Sequence, residues 1–152
     1  MDSLKNLRSQ VFSEVSKRNQ LKESAYKNFY KTLSKENDGV VFISSEQLRS
    51  LNIDERVTFD NGVEFVKISE NKNKMVFHTV MVEGGTFSEH FHDWVEICTV
   101  LKGQLIETCK GNRDSIKIYK EGERSIYDKG EKHSMHVNEY TLLEVTFIKD
   151  II

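Results

Sequence analysis

From residue 56 onward the chain alternates short apolar runs with polar turns, a pattern typical of β-strands. In "RVTFDNGVEFVKI" two such runs flank an Asn-Gly pair, which favours a tight β-hairpin. Further runs follow at near-regular spacing: "MVFHTVMV", "QLIETCK", "SIKIYK" and "TLLEVTFI". An earlier run, "VVFI" at 40–43, predicts one more buried strand. This succession predicts an all-β sandwich or barrel.

The first 36 residues instead carry apolar side chains at three- and four-residue spacing. These are Leu4, Leu7, Val11, Phe12 and Val15, then Tyr26, Phe29, Tyr30 and Leu33. The spacing indicates two amphipathic helices, or one helix with a weak middle, ending near "ENDG". We therefore expect a helical N-terminal extension over 1–37 and a β domain over 38–152. Ser44 and Gln47 have the spacing of a capping box, which predicts a short helix after the first strand.

Composition places the chain among ordinary globular proteins. Its 152 residues fit one domain, with 38% hydrophobic and 30% charged residues. No run approaches the length of a membrane helix, and the start lacks the apolar core of a signal peptide, so we expect a cytoplasmic protein with no membrane partner. The two cysteines, Cys98 and Cys109, are too few for a disulfide framework and are interpreted as small apolar fillers on neighbouring strands.

The net charge of −2 is unevenly distributed along the chain. Residues 1–36 carry eight Lys or Arg against four Asp or Glu, a net of +4, and the remainder carries fourteen against twenty, a net of −6. The basic part has no clustered Arg and no DNA-binding pattern, so we do not expect a nucleic-acid partner. A solvated helix surface, or docking on the acidic body of a second subunit, explains this charge equally well.

The segment "GGTFSEHFHDWVEICTVLKG" (84–103) contains the clearest candidate chemistry. In a strand, residues i and i+2 point to the same face, so His90 and His92 project side by side. Glu96 has the same parity and would join them if the strand continued. Two imidazoles and one carboxylate suit Fe, Mn, Ni or Zn, and they leave coordination positions open for a substrate or dioxygen.

A fourth metal ligand is available downstream, in "GERSIYDKGEKHSMHV". His133 and His136 have opposite parity in a strand that begins near 133, so only one of them can face a metal. We favour His133, which follows the Gly130 turn where the chain re-enters the sheet. His78, in "MVFHTV", lies among apolar residues and is interpreted as a core or pocket-wall histidine.

The motif spacing resembles that of the cupin superfamily. The first cupin motif is matched by Gly84-x5-His90-x-His92-x3-Glu96-x6-Gly103, and the second by Gly122-x5-Asp128-x-Gly130-x2-His133. The second motif departs from the family pattern, because Asp128 stands in place of its proline and Val137 in place of its asparagine. The resemblance covers residues 60–150. It implies an antiparallel jelly-roll β-barrel in which His90, His92, Glu96 and His133 bind one divalent transition metal.

A cupin site does not by itself name a reaction. We expect a metalloenzyme that acts on a small oxygenated metabolite, as a dioxygenase, an isomerase or a lyase. Some similar small lyases use a tyrosine as base, and the candidates here are Tyr119, Tyr140 and above all Tyr127, the nearest in sequence to His133. Glu107 and Glu144 are acid or base candidates only if their strand faces turn inward.

The strand residues near the metal site are mainly apolar. We expect a small, partly apolar pocket walled by Phe77, Val80, Trp94, Val100, Ile106, Leu143, Val145 and Phe147. The alternative to an enzyme is a non-catalytic sensor that binds a small molecule or a metal. Because edge strands must be covered, a homodimer formed through sheet edges is also expected.

Overall fold

The computed structural model describes residues 27–28, 34–35, 39–59, 62–111 and 116–149. Within these ranges the chain forms β-strands and one short α-helix. The strands that precede the helix are β1 (Lys27–Asn28), β2 (Ser34–Lys35) and β3 (Val41–Phe42), and the helix is α1 (Ser45–Arg49). After the helix come β4 (Arg56–Thr58), β5 (Val63–Asn71), β6 (Lys74–Met81), β7 (Thr86–Phe91), β8 (Val95–Lys102), β9 (Gln104–Lys110), β10 (Lys117–Lys120), β11 (Arg124–Tyr127), β12 (His133–His136) and β13 (Thr141–Ile148).

The strands form two sheets. A seven-stranded sheet has the order β1-β4-β5-β6-β13-β8-β11, and a six-stranded sheet has the order β10-β9-β12-β7-β3-β2. All pairs are antiparallel except β1–β4 and β3–β7, which are parallel. Consecutive strands β8 and β9 lie in different sheets, so the chain crosses between the sheets at Gly103. This arrangement confirms the predicted all-β jelly-roll. In the described residues the strands form two separate sheets, with no closed barrel.

One apolar core fills the space between the sheets, and alternating strand positions supply it. In β6, for example, Met75, Phe77 and Met81 are buried inward at 0–1% exposure. Val57 and Phe59, at the end of β4, are fully buried in the same cluster. Because successive side chains of a strand point to opposite faces, every second side chain of these strands points into this core. The interior is therefore apolar except where particular polar residues point inward.

The predicted β-hairpin and capping box are both confirmed. β4 pairs antiparallel with β5, with Thr58 opposite Glu64. The Ser44 side chain accepts a hydrogen bond from the backbone N–H of Gln47, and the Gln47 side chain accepts one from the Ser44 N–H. These reciprocal bonds satisfy the free donors at the start of α1, as the sequence spacing requires. The Asp93 side chain accepts a hydrogen bond from the Ser45 N–H at 2.7 Å, which ties α1 to the loop after β7.

The predicted helical extension is wrong at the four of its residues that the structure describes. Lys27–Asn28 pairs in parallel with β4, and Ser34–Lys35 pairs antiparallel with β3. Pairing at a sheet edge satisfies backbone groups that an isolated short helix leaves free at its ends, and such tertiary pairing overrides local periodicity. The remaining residues of the predicted extension lie outside the described ranges. Within the described part of the chain, no helix is long and apolar enough to span a membrane.

Candidate metal centre

Strands from both sheets bring four potential ligands together. His90 in β7 and His133 in β12 face each other as partners in one ladder of the six-stranded sheet. His92 directly follows β7, and Glu96 lies in β8 of the opposite sheet. The cluster of His90, His92, Glu96 and His133 therefore lies between the sheets, with all four side chains buried. These are the four residues that the two motifs predict.

Glu96 joins the cluster from the opposite sheet, which its spacing from His90 and His92 does not indicate. The parity argument assumed one continuous strand from His90 to Glu96. Instead β7 ends at Phe91, residues 92–94 cross from one sheet to the other, and Glu96 points back from β8. The assumption of a single wall is therefore wrong, because a site between two sheets draws its ligands from both.

The spacing of the donor atoms fits a single cation. Glu96 Oε1 lies 3.0 Å from His92 Nε2 and 3.0 Å from His133 Nε2. One ligand atom from each of the four residues lies within 4.8 Å of the others. Two donor atoms that each bind a transition metal at about 2.1 Å, at right angles to each other, are about 3.0 Å apart. The cluster can therefore hold one metal ion with little movement of its side chains.

The main chain sets the tautomer of all three imidazole rings. Each Nδ1 lies 2.7–3.0 Å from a main-chain carbonyl oxygen, those of Ser88 (for His90), Ile43 (for His92) and Glu131 (for His133). Because a carbonyl oxygen only accepts, each Nδ1 carries a proton and donates it. In this tautomer each Nε2 atom can present a lone pair to a metal in the cluster, which is how histidines bind metals.

The electrostatics of the cluster also favour a cation. Burial, followed by the neighbouring His133 and His92, holds the pKa of His90 well below its usual range, so this ring is neutral at neutral pH. Burial alone would raise the pKa of Glu96, but the charges and hydrogen bonds of His133 and His92 hold it well below its usual range. A buried carboxylate needs a compensating charge. Three imidazole nitrogens and one carboxylate oxygen therefore form a donor set that fits Fe, Mn, Ni or Zn.

A second buried polar group lies behind His133. The Glu107 side chain is 2% exposed, so its strand face turns inward. Its Oε2 accepts hydrogen bonds from the hydroxyls of Tyr127 at 2.7 Å and Tyr119 at 3.4 Å. The Tyr127 ring stacks on the His133 ring, with centroids 3.7 Å apart and planes 6° apart. The alternation of β9 did not reveal this group, because the sequence does not show which face of β9 is buried.

These contacts bear on Tyr127 as a candidate base. Its hydroxyl is already engaged by Glu107, and burial raises its pKa far above the usual range. Burial, together with Glu107, raises the pKa of Tyr119 to about 12. A base must be deprotonated, and both changes oppose deprotonation of these phenols. The catalytic role of Tyr127 stays a prediction, and the structure adds a packing contact with His133 that the sequence did not indicate.

A small cavity adjoins the cluster on the side of His92 and Glu96. Its volume is about 30 Å³. Its walls are almost entirely apolar: Ile43, Leu48, Phe65, Phe77, Phe87, Met135, Leu143, Val145 and Phe147, with Thr79 and Cys98. No described residue in the lining carries a cationic side chain. A ligand in this cavity therefore meets oxygen or nitrogen atoms of side chains at the cluster and at the Thr79 hydroxyl, and largely apolar surface elsewhere.

The predicted pocket wall is partly correct. Phe77, Leu143, Val145 and Phe147 line the cavity as expected. Val80, Val100, Ile106 and Trp94 are buried but do not line it. Val80 does not line the cavity because it lies between the inward-facing Thr79 and Met81 of β6, and its side chain is therefore on the other face of the strand. Since "MVFHTVMV" is apolar on both faces, its sequence does not reveal which face lines the pocket.

The other polar candidates lie outside the cluster. His136 follows His133 at odd spacing and is half-buried on the other face of β12, as the parity argument predicts. His78 is buried on the outer face of β6, where its Nε2 lies 3.6 Å from Glu144 Oε1. The Glu144 side chain is 44% exposed and points away from the cavity, which excludes it as an acid or base at this site.

Comparison with known structures shows the fold. An RmlC-like cupin from Shewanella frigidimarina matches with a TM-score of 0.57 at 17% identity, over 72% of this chain and 91% of its own. A cupin superfamily protein from Desulfitobacterium hafniense gives 0.53 at 12% identity, over 60% of this chain and 81% of its own. A polyketide cyclase from Streptomyces resistomycificus gives 0.54 at 14% identity, over 66% and 71%.

No family model matches the sequence, and no curated protein matches it significantly. The assignment therefore rests on similarity to solved structures, and at these sequence identities that similarity shows the fold alone. The chain has a cupin fold, as its two motifs predict.

Proposed function

We propose that this protein is a metal-dependent cupin that binds one divalent transition metal (Fe, Mn, Ni or Zn) through His90, His92, Glu96 and His133. One observation carries the proposal. Three main-chain carbonyls take the Nδ1 protons, so three Nε2 lone pairs converge with the anionic Glu96 in a buried site. A single bound cation would contact all four donor atoms and compensate the buried carboxylate charge of Glu96.

We further propose that the protein is an enzyme acting on a small oxygenated metabolite, of the dioxygenase, isomerase or lyase type. A metal bound there would supply Lewis-acid or oxygen-activating chemistry to a substrate oxygen. The small cavity beside His92 and Glu96 would receive one small apolar group of the substrate, and its apolar lining would exclude water there. That one protein of similar fold is a polyketide cyclase agrees with chemistry on a largely apolar, oxygenated substrate.

The chain's own residues have distinct roles in this proposal. His92 and Glu96 both hold the metal and line the cavity, so they present the metal's open positions to the substrate. Phe77 and Phe147 pack edge to face, with centroids 5.8 Å apart, and form a wall that limits substrate width. Thr79 supplies a hydroxyl on this lining, which can orient a substrate oxygen.

Metal analysis tests the binding part of the proposal. The protein purified from metal-supplemented culture and dialysed is expected to contain about one transition-metal ion per chain, because the cluster holds one set of four donors. The measurement is elemental mass spectrometry against protein concentration. Less than about a tenth of an equivalent, with no uptake of added Fe(II), Mn(II), Ni(II) or Zn(II), would refute the metal site.

The class of reaction is tested with the metal-loaded protein. Oxygen consumption by the Fe(II) form with thiols, diketones and flavonols would identify a dioxygenase. Conversion of small oxygenated metabolites by the Mn, Ni or Zn forms, followed by NMR, would identify an isomerase or lyase. A protein that binds metal and small ligands but turns over none of these compounds would support the alternative, a non-catalytic sensor.

We also propose that two copies form a homodimer through the β11 edge. Among the described strands, β11 ends the seven-stranded sheet, and its Ile126 is 48% exposed. An unpaired edge strand with an exposed apolar residue is a pairing surface. Light scattering after size exclusion should give twice 17.7 kDa for the wild type and a lower mass for Ile126→Lys. The matched control is Ile53→Lys, at 47% exposure outside the strands. A wild-type mass of one chain at all concentrations would contradict this proposal.

A further inference from the structure

The His133 ring is held at one of its atoms and along one of its faces. Its Nδ1 donates to the Glu131 carbonyl oxygen at 3.0 Å. Its face lies against the Tyr127 ring, with the planes within 6° of parallel. A hydrogen bond at Nδ1 alone leaves the ring free to tilt about that atom. The flat contact removes this freedom, so the two together fix the direction of the Nε2 lone pair.

The Tyr127 ring in turn is fixed by its hydroxyl. Tyr127 is 1% exposed, and its hydroxyl donates to Glu107 Oε2 at 2.7 Å. A buried hydroxyl without an acceptor is costly, so this bond sets where the phenol ring can lie. Glu107 comes from β9, which pairs with β12, whereas Tyr127 comes from β11 in the opposite sheet. The bond therefore links the two sheets directly behind the cluster.

Tyr119 provides an internal comparison. Its hydroxyl also donates to Glu107 Oε2, at the longer distance of 3.4 Å. Its ring makes no described contact with any histidine of the cluster, and it lies on β10, an edge strand of the six-stranded sheet. If Glu107 acted on the cluster only as a nearby charge, the two tyrosines would be equivalent. The geometry makes them different, because only Tyr127 connects Glu107 to a potential ligand ring.

We propose that Glu107 and Tyr127 are positioning residues for the metal centre: Glu107 holds the Tyr127 hydroxyl, and the Tyr127 ring holds His133 in the orientation that binds metal. This inference rests on the proposed metal site. It assigns Tyr127 a role through its ring, whereas the expected base role would act through its hydroxyl. It also gives a function to the buried carboxyl of Glu107, which does not line the cavity.

The experiment compares Co(II) binding to the full-length wild type and four variants, by competition with a chromophoric chelator and by the visible spectrum of bound Co(II). Tyr127→Leu removes the stacked ring and is expected to weaken binding by about tenfold or more and to alter the spectrum, in line with the effect of outer partners on metal affinity. Tyr119→Phe is the matched control and is expected to stay within about twofold of the wild type in affinity, with an unchanged spectrum.

Two substitutions of Glu107 separate hydrogen bonding from charge. Glu107→Ala removes the acceptor and is expected to weaken Co(II) binding by about fivefold or more. Glu107→Gln removes the charge but keeps an oxygen that accepts from Tyr127, so it should restore affinity to within about twofold of the wild type. Thermal unfolding of each apo variant checks that it is folded. If Tyr127→Leu does not fold, the Glu107 pair decides the question.

Each result has one reading. Weak binding by Tyr127→Leu and Glu107→Ala, with wild-type behaviour in Glu107→Gln and Tyr119→Phe, supports the inference. Wild-type affinity and spectrum in Tyr127→Leu would overturn it, as would equal weakening by Glu107→Gln and Glu107→Ala, which would indicate a charge effect only. Failure of the wild type to bind Co(II) would instead refute the proposed metal site itself.

Discussion

Replacement of His133 by alanine is expected to abolish stoichiometric metal binding. His133 is fully buried, and its Nε2 lies 3.0 Å from Glu96 Oε1 at the centre of the cluster. Loss of a partner outside the ligand shell costs about 10- to 100-fold in metal affinity, so loss of a ligand should cost more than about 100-fold. The measurement is metal content after dialysis, followed by titration of the apo variant with Co(II) or Zn(II).

The matched control for His133 is the other histidine of the same strand. His136 lies on the opposite face of β12, half-buried, at the position that faces Thr86 across the ladder. His136→Ala should therefore keep about one metal ion per chain. Metal lost in His136→Ala and retained in His133→Ala would show that the ligand assignment is wrong. His92→Ala should behave like His133→Ala, because His92 Nε2 also lies 3.0 Å from Glu96 Oε1.

The four residues of the cluster were predictable from sequence because their spacing matches two motifs whose strands lie close together in a jelly-roll. His90 and His133 end up opposite each other because β7 and β12 are antiparallel partners, which is what a jelly-roll with these two motifs provides. The parity rule alone did not suffice. It placed Glu96 on the strand of His90, whereas a chain crossing at residues 92–94 places it on the facing sheet. The ligand identity was thus more predictable than the geometry that produces it.

The surroundings of the cluster were less predictable, because they depend on which strand face is buried. Strands such as β6 and β13 are apolar on both faces, so Val80 was expected in the pocket wall and yet forms a separate cluster with Leu142 on the outer face. Glu107 looks like a surface residue but is buried, since its partner Tyr127 comes from the opposite sheet. Contacts between sheets leave no local periodic signal, and only the assembled fold reveals them.

The N-terminal part of the chain shows a different limit of sequence reasoning. Helical periodicity over residues 1–36 was a local signal, but the described backbone at Lys27–Asn28 and Ser34–Lys35 pairs with β4 and β3. Available edges of a sheet can capture short segments whose own helical preference is weak. Edge pairing depends on strands that are distant in sequence, so the first 36 residues alone could not predict it.

A Gly103→Ala substitution is expected to be among the most destabilising single changes in the chain. Gly103 has φ of +90°, a conformation that costs a residue with a Cβ about 1–2 kcal/mol. A Cβ there would also lie 2.5 Å from the Tyr140 carbonyl oxygen and 2.6 Å from Thr141 Oγ1, closer than real Cβ contacts allow. The main chain at the crossing between sheets would have to move, so we expect a loss of about 3 kcal/mol or more in unfolding free energy, measured by chemical denaturation.

Gly122→Ala is the control that isolates the steric part of this effect. Gly122 has nearly the same backbone angle, with φ of +86°, but a Cβ there would meet nothing within 4 Å. It should therefore lose only the conformational cost, about 1–2 kcal/mol. An equal loss in the two variants would show that contact with Tyr140 and Thr141 is unimportant. The expected difference would explain the glycine at the end of the first motif: the crossing from β8 to β9 leaves no room for a side chain where it passes the start of β13.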